Sequence, residues 1–145
     1  MTKTDWQVGD HVSGRTRQAT LDRIIWYEDG LTSAVLGRGG PPRKNSHTDL
    51  EHAKKQGLSG LLADGMLATN WISEILVAEF GMPYLENGAL RTKYIKPTYV
   101  GMWVTPHFKV TAIEDSDAGK VITMEVWTDN TEGTLLTVGE ARITI

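Results

Sequence analysis

Residues 64–80 read Asp64-Gly-Met-Leu-Ala-Thr-Asn-Trp-Ile-Ser-Glu-Ile-Leu-Val-Ala-Glu-Phe80, and this stretch decides the fold. Its polar stripe covers less than half of the helical circumference and consists of Thr69, Asn70, Ser73 and Glu74. Because so apolar a helix must be covered on most sides, we expect it to be long and buried. Asp64 is expected to cap its start, and Gly81-Met-Pro83 is expected to end it.

After this helix, apolar and polar residues alternate in the way that is typical of half-buried strands. Turn-forming clusters at residues 115–119 and 130–133 separate the strands, and Gly139 is expected to mark a bulge. We expect strands at residues 11–16, 90–95, 103–112, 120–128 and 134–145, and short amphipathic helices at 21–29 and 48–56. The pattern predicts an α+β fold in which a curved antiparallel sheet of about five strands wraps around one long helix.

Composition narrows the class of protein. The 145 residues fit one domain spanning residues 1–145, without repeats or a long linker. No apolar run approaches the ~20 residues that a membrane helix needs, and the first residues lack a signal peptide's apolar stretch. A formal charge of −3 does not indicate the basic surface that nucleic-acid binding needs. The lack of cysteine excludes disulfides and thiol chemistry. We therefore expect a cytoplasmic protein with no nucleic-acid or membrane partner.

Two features that could suggest other chemistry are weak. His11, His52 and His107 have no mutual metal spacing in the sequence, so a metal site is not expected. Residues 37–44 read Gly-Arg-Gly-Gly-Pro-Pro-Arg-Lys, without the Gly-Lys-Ser/Thr ending of a phosphate-binding P-loop. We interpret this segment as an exposed loop near the mouth of a pocket.

The most informative part of the chain lies between Ser46 and Met66. Residues 46–58 read Ser-His-Thr-Asp-Leu-Glu-His-Ala-Lys-Lys-Gln-Gly-Leu, and residues 62–66 read Leu-Ala-Asp-Gly-Met. With Val8-Gly-Asp10 and residues 94–104, this block resembles the MaoC-like (R)-specific enoyl-CoA hydratase/dehydratase family. The positions that keep the family's residues are His47, Asp49, Ala53, Gly57, Ala63, Gly65 and Met66.

The resemblance implies a hotdog fold and a reaction that adds or removes water across the C2–C3 double bond of an acyl-CoA or acyl-carrier thioester. No cofactor is implied beyond that carrier. It implies that His47 carries the proton and that the Gly65 amide, at a helix N-terminus, polarises the thioester carbonyl. Asn45, Asp49 and Met66 are the expected substrate-binding residues. A homodimer or higher homo-oligomer is also implied.

Two departures from the family pattern concern the catalytic groups. The family's catalytic aspartate precedes the histidine by five residues, where this chain has Pro42, and the nearest upstream acids are Glu28 and Asp29. The family's histidine before the oxyanion-hole glycine is Asp64 here. Either His47 and Asp64 form a rebuilt catalytic pair, or the aspartate-dependent hydratase mechanism is lost.

Alternatives remain at each level. Asp49 could cap or charge the first turn of the helix at 48–56, or orient His47. Asp64 could be a cap of the long helix or a catalytic carboxylate. An acyl-CoA thioesterase on the same fold could use Asp64 to activate water for attack on the thioester carbon. A non-catalytic subunit that binds acyl-CoA, or supports an active partner, is favoured by Pro42.

Overall fold

A computed structural model describes residues 3, 5–36 and 45–145, with the side chains of residues 31–36 excepted. Its elements, in chain order, are β1 (His11–Ser13), β2 (Arg17–Gln18), α1 (Leu21–Leu36), α2 (Leu50–Lys55), α3 (Gly65–Phe80), α4 (Met82–Asn87), β3 (Ala89–Tyr94), β4 (Trp103–Ser116), β5 (Gly119–Asn130) and β6 (Leu135–Thr144). The described strands form one antiparallel sheet in the order β1-β4-β5-β6-β3, and β2 also pairs with β4. Within the described ranges, none of the helices has the length and apolar character needed to cross a membrane.

The long central helix and its covering sheet are confirmed. The buried residues of α3 are Leu67, Ala68, Trp71, Ile72, Ile75, Leu76 and Phe80. Four of them join a core with the inward residues of β4, β5 and β6, among them Phe108, Met124 and Ile143. The inward-facing residues of β4, which recur at every second position, thus pack against the apolar surface of α3 in one core, as an α+β arrangement requires.

Several boundaries differ from the sequence-based expectation. Helix α1 extends to Leu36, and a short helix, α4, begins directly after Gly81. Pro83 lies in the first turn of α4, where its missing N–H is not needed, so it starts a helix as well as following one. The strand predicted at 11–16 ends at Ser13 as β1, and a further short strand, β2, follows beyond the predicted range.

The bulge predicted at Gly139 is wrong. Gly139 pairs in register with Val126 on one side and with Thr92 on the other. A Cβ at this position would run into the backbone of Arg91 in β3, so the glycine permits close approach of two strands. The register shifts lie elsewhere, between Val110 and Ala112 in β4 and between Thr128 and Asp129 in β5.

Replacing Leu76 by alanine is expected to lower the free energy of unfolding by about 2–5 kcal/mol. Leu76 is fully buried between α3 and the sheet, so its truncation leaves a cavity that the surrounding strands cannot close completely. Chemical denaturation measures the loss. The matched control is Leu85→Ala on α4, a side chain that is mostly exposed and whose removal should cost far less. Equal losses at the two positions would contradict a central role for α3.

Candidate active site

A cavity of about 530 Å³ lies where the N-terminus of α3 meets the end of β3 and the segment after it. Its apolar lining comprises Leu58, Leu62, Ala63, Ala68, Ile95 and Pro97. Its polar lining comprises His47, Asp64, Gly65, Tyr94, Lys96, Thr98 and Thr137. The structure therefore brings the three predicted catalytic residues, His47, Asp64 and Gly65, to one cavity.

The tautomer of neutral His47 follows from its surroundings. Its Nδ1 lies 2.7 Å from the carbonyl oxygen of Leu62, and a carbonyl can only accept, so Nδ1 carries the proton. The other nitrogen, Nε2, is then an acceptor when the ring is neutral. Nε2 lies 4.0 Å from Oε1 of Glu28, which is too long for a direct hydrogen bond and short enough for one water molecule to bridge. His47 is thus oriented with its proton-accepting nitrogen towards a carboxylate.

The sequence analysis did not predict Glu28 as a partner of His47. Glu28 lies on α1 and is only 9% exposed. Its Oε2 accepts a hydrogen bond of 3.1 Å from the side-chain amide of Asn45. One sequence signal could have found it, because Glu28 follows the buried Ile24 by four residues and therefore lies on the apolar face of α1. An acid on such a face is unusual unless it is paired or functional.

Asn45 connects the carboxylate to the turn that carries His47. Its Oδ1 accepts hydrogen bonds from the backbone N–H of His47 at 2.9 Å and of Thr48 at 3.0 Å, and from the Thr48 hydroxyl at 3.0 Å. Its amide donates to Glu28 at the same time. Asn45 does not line the cavity. In this structure it holds His47 and Glu28 in a fixed relation, and the predicted contact with substrate stays a prediction.

Asp64 has the capping role that was one of its two expected roles, and its side chain also lies near His47. Its Oδ1 accepts from the Met66 N–H at 2.7 Å and its carbonyl accepts from the Leu67 N–H at 3.0 Å, so it caps α3. Single side-chain atoms of Glu28, His47 and Asp64 all lie within 4.8 Å of one another. The pKa of nearby Tyr27 is raised by burial and further by the Asp64 charge, which keeps that phenol protonated.

The Gly65 amide is the first N–H of α3. Asp64 satisfies the next two N–H groups, of Met66 and Leu67, whereas that of Gly65 has no acceptor among the described residues. Gly65 lines the cavity, so an unpaired donor at the positive end of a helix dipole borders it. Such a donor is suited to a developing oxyanion.

Glycine at position 65 leaves room for a neighbouring aromatic ring. A Cβ there would lie 2.5 Å from ring atoms of Tyr94, so the missing side chain makes room for that ring. The Tyr94 hydroxyl lies 2.8 Å from the Thr69 hydroxyl and donates to the Met66 sulfur at 3.3 Å. Tyr94 therefore packs over the start of α3 and forms one wall of the cavity.

The other two predicted substrate-binding residues lie away from the cavity lining. Asp49 caps α2 by accepting from the His52 N–H at 2.9 Å, which is the structural alternative the sequence offered. Met66 is 46% exposed and contacts the Tyr94 hydroxyl. Pro42, which stands at the family's aspartate position, and residues 37–44 as a whole lie outside the described residues.

Comparison with solved structures places this architecture among known folds. A MaoC-like dehydratase from Rhodospirillum rubrum superposes with a TM-score of 0.73 at 21% identity, over 100% of this chain and 96% of that one. An (R)-hydratase from A. caviae involved in PHA biosynthesis gives 0.72 at 18% identity, over 99% of both chains. The chain has the MaoC-like hotdog fold.

A third structure with this hotdog fold comes from an assembly of two different proteins. It is the ChsH1-ChsH2 complex from Mycobacterium tuberculosis, with a TM-score of 0.71 at 17% identity, over 96% of this chain and 98% of that chain. The solved structures that resemble this chain thus include a multi-subunit complex. No protein-family model and no curated protein matches the sequence.

Proposed function

We propose that this protein is an enzyme that hydrates or dehydrates an acyl thioester at C2–C3. In this proposal Glu28 and His47 bind the reacting water molecule, and His47 transfers its proton. The observation that carries the proposal is the 4.0 Å gap between His47 Nε2 and Glu28 Oε1, beside the unpaired Gly65 amide. The hotdog neighbours, whose names include hydratases and dehydratases, support the same class of reaction.

In the hydration direction, a water molecule held between His47 and Glu28 attacks C3. His47 Nε2 takes one proton from the water as the O–C3 bond forms, and the Glu28 carboxylate stabilises the resulting imidazolium. The electrons of the double bond move to the thioester carbonyl oxygen, where the Gly65 N–H stabilises the enolate. His47 then returns the proton to C2, so the product gains one complete water molecule.

The cavity favours an acyl chain as the group bound. Its apolar lining offers burial to a hydrocarbon, and Lys96 lies in the lining with a charge that suits a phosphate-bearing carrier such as coenzyme A or an acyl-carrier protein. We also propose that the protein forms a homodimer in the cytoplasm, where such thioesters are metabolised. Strand β3 supports the dimer because it ends the sheet order and pairs only with β6 among the described strands.

The test is an assay of purified protein with crotonyl-CoA and with saturated acyl-CoA of several chain lengths. Loss of the enoyl double bond without release of free CoA is the expected result. Release of CoA from the saturated substrate would instead favour the thioesterase. Binding of acyl-CoA with neither reaction would contradict an enzyme and favour the non-catalytic subunit.

Replacing Asp64 by asparagine is expected to change kcat by less than about tenfold and to leave the melting temperature nearly unchanged. Asparagine caps a helix as well as aspartate does, and Glu28 remains to pair with His47. Asp64→Ala should cost about 1 kcal/mol of stability, because the Met66 N–H loses its acceptor. A ~10²-fold loss of kcat in Asp64→Asn would instead assign the role of catalytic carboxylate to Asp64.

A further inference from the structure

A second cluster of titratable side chains lies on the face of the sheet opposite α3. His107 alternates along β4 with Pro106 and Phe108, which are buried, so its side chain points outward. His11 on β1 and Asp129 on β5 flank it from the neighbouring strands, and Ser13 is its register partner. We call these four residues the outer histidine cluster. No sequence motif predicts this cluster, because strand pairing brings His11 and His107 together from distant parts of the chain.

The tautomer of His107 is set by Asp129. The carboxylate oxygen lies 3.1 Å from His107 Nε2, so Nε2 carries a proton and donates it. The lone pair of Nδ1 then faces the hydroxyl of Ser13 at 2.9 Å and Nε2 of His11 at 3.3 Å. Two ring nitrogens and one hydroxyl oxygen therefore converge at one place.

We propose that the outer histidine cluster binds a divalent late transition-metal ion, with Zn²⁺ as its representative. Two ligands on one tetrahedral Zn²⁺, with Zn–N bonds of about 2.05 Å, are about 3.3 Å apart, which is the separation of the two histidine nitrogens. The Ser13 hydroxyl and a water molecule, or two water molecules, complete the four ligands. Asp129 supplies the carboxylate that commonly holds the second nitrogen of a metal-binding histidine.

The two imidazoles are also held in place by a third ring. Trp127 on β5 stacks on His107 with centroids 5.0 Å apart and planes at 11°, and on His11 at 5.2 Å and 24°. Rings fixed in this way lose little freedom when an ion binds, so less of the binding energy goes into ordering the ligands. The indole is also a built-in reporter of the site.

The cavity offers a competing set of donors, Glu28, His47 and Asp64, within 4.8 Å of one another. It is the weaker candidate for three reasons. Its His47–Glu28 separation of 4.0 Å is wider than a tetrahedral edge, Asp64 Oδ1 caps α3, and Glu28 Oε2 accepts from Asn45. The two clusters share no residue, so mutagenesis can separate them.

The experiment is isothermal titration calorimetry of untagged protein with Zn²⁺. Wild type is expected to bind one equivalent, His11→Ala and His107→Ala to bind at least tenfold more weakly, and Asp129→Asn to bind ~10-fold more weakly. His52→Ala, a half-buried helix histidine, and His47→Ala in the cavity are the controls and should bind as wild type does. Thermal melting with and without Zn²⁺ checks that each variant is folded, and His11 is exposed enough to be replaced safely.

Three results would overturn the proposal: no stoichiometric Zn²⁺ binding by wild type, unchanged affinity in folded His11→Ala, or loss of binding in His47→Ala. The last would move the ion to the cavity. Quenching of tryptophan emission by Cu²⁺ gives an independent reading, since the quenching should shrink in Trp127→Phe and in His11→Ala. None of these readings depends on the proposed hydratase activity.

Discussion

Replacing Glu28 by glutamine is expected to lower kcat by ~10²-fold or more on a substrate that wild type turns over. Glutamine keeps the size of the side chain and can still accept from Asn45, so the turn that carries His47 should stay in place. What is lost is the negative charge 4.0 Å from Nε2, which stabilises the imidazolium formed when the water is deprotonated. Steady-state kinetics with a thermal melt of the same sample make the measurement.

The matched control is Asp29→Asn, the neighbouring acid on the same helix, which is exposed. We expect it to keep kcat within about twofold of wild type. His47→Ala should give a loss comparable to Glu28→Gln, and the double variant should lose little more, because the two groups act on one water molecule. If Glu28→Gln were folded and fully active, the assignment of Glu28 as the partner of His47 would be wrong.

The sequence predicts the fold well where the signal is local. Residues 64–80 are apolar around most of the helix, and this pattern alone predicts a buried helix. In β4 and β5 the alternation of apolar and polar residues predicts both the strand and the face that it buries. Helix α4 was not predicted because Gly81 and Pro83 were taken as the end of the preceding helix, although proline is also favoured in the first turn of a new helix. The prediction of a bulge at Gly139 was wrong because a glycine in a strand also occurs where two strands approach each other closely.

The site was predictable only in part, because some of its groups, Glu28 above all, come together through tertiary packing. His47, Asp64 and Gly65 lie in one stretch of the chain and line one cavity, as the family resemblance implies. Glu28 comes from α1, and no spacing rule relates a helix to a turn packed against it. His11 and His107 meet through the register of β1 on β4, which composition and periodicity leave undefined.

The Gly65 amide can be deleted by a backbone substitution that the helix tolerates. Proline is favoured at the first position of a helix, where its missing N–H removes no intrahelical bond. Asp64, the preceding residue, has φ −59° and ψ 138°, which is the conformation that a following proline requires. The one obstacle is the new Cβ, which would collide with the ring of Tyr94.

That obstacle is removed by working in a Tyr94→Ala background. The comparison is then between Gly65→Ala/Tyr94→Ala and Gly65→Pro/Tyr94→Ala, which both carry a Cβ and differ chiefly in the N–H. Since loss of one oxyanion-hole donor typically costs ~10²–10³-fold, we expect the proline variant to show kcat lower by that factor, with similar melting temperatures. Equal kcat in the two variants would assign carbonyl polarisation to another donor. A matching loss would show that Asp64 caps α3 while leaving the Gly65 N–H for the substrate. The negative charge of Asp64 beside the oxyanion would then be offset in part by the Met66 N–H that its carboxylate accepts.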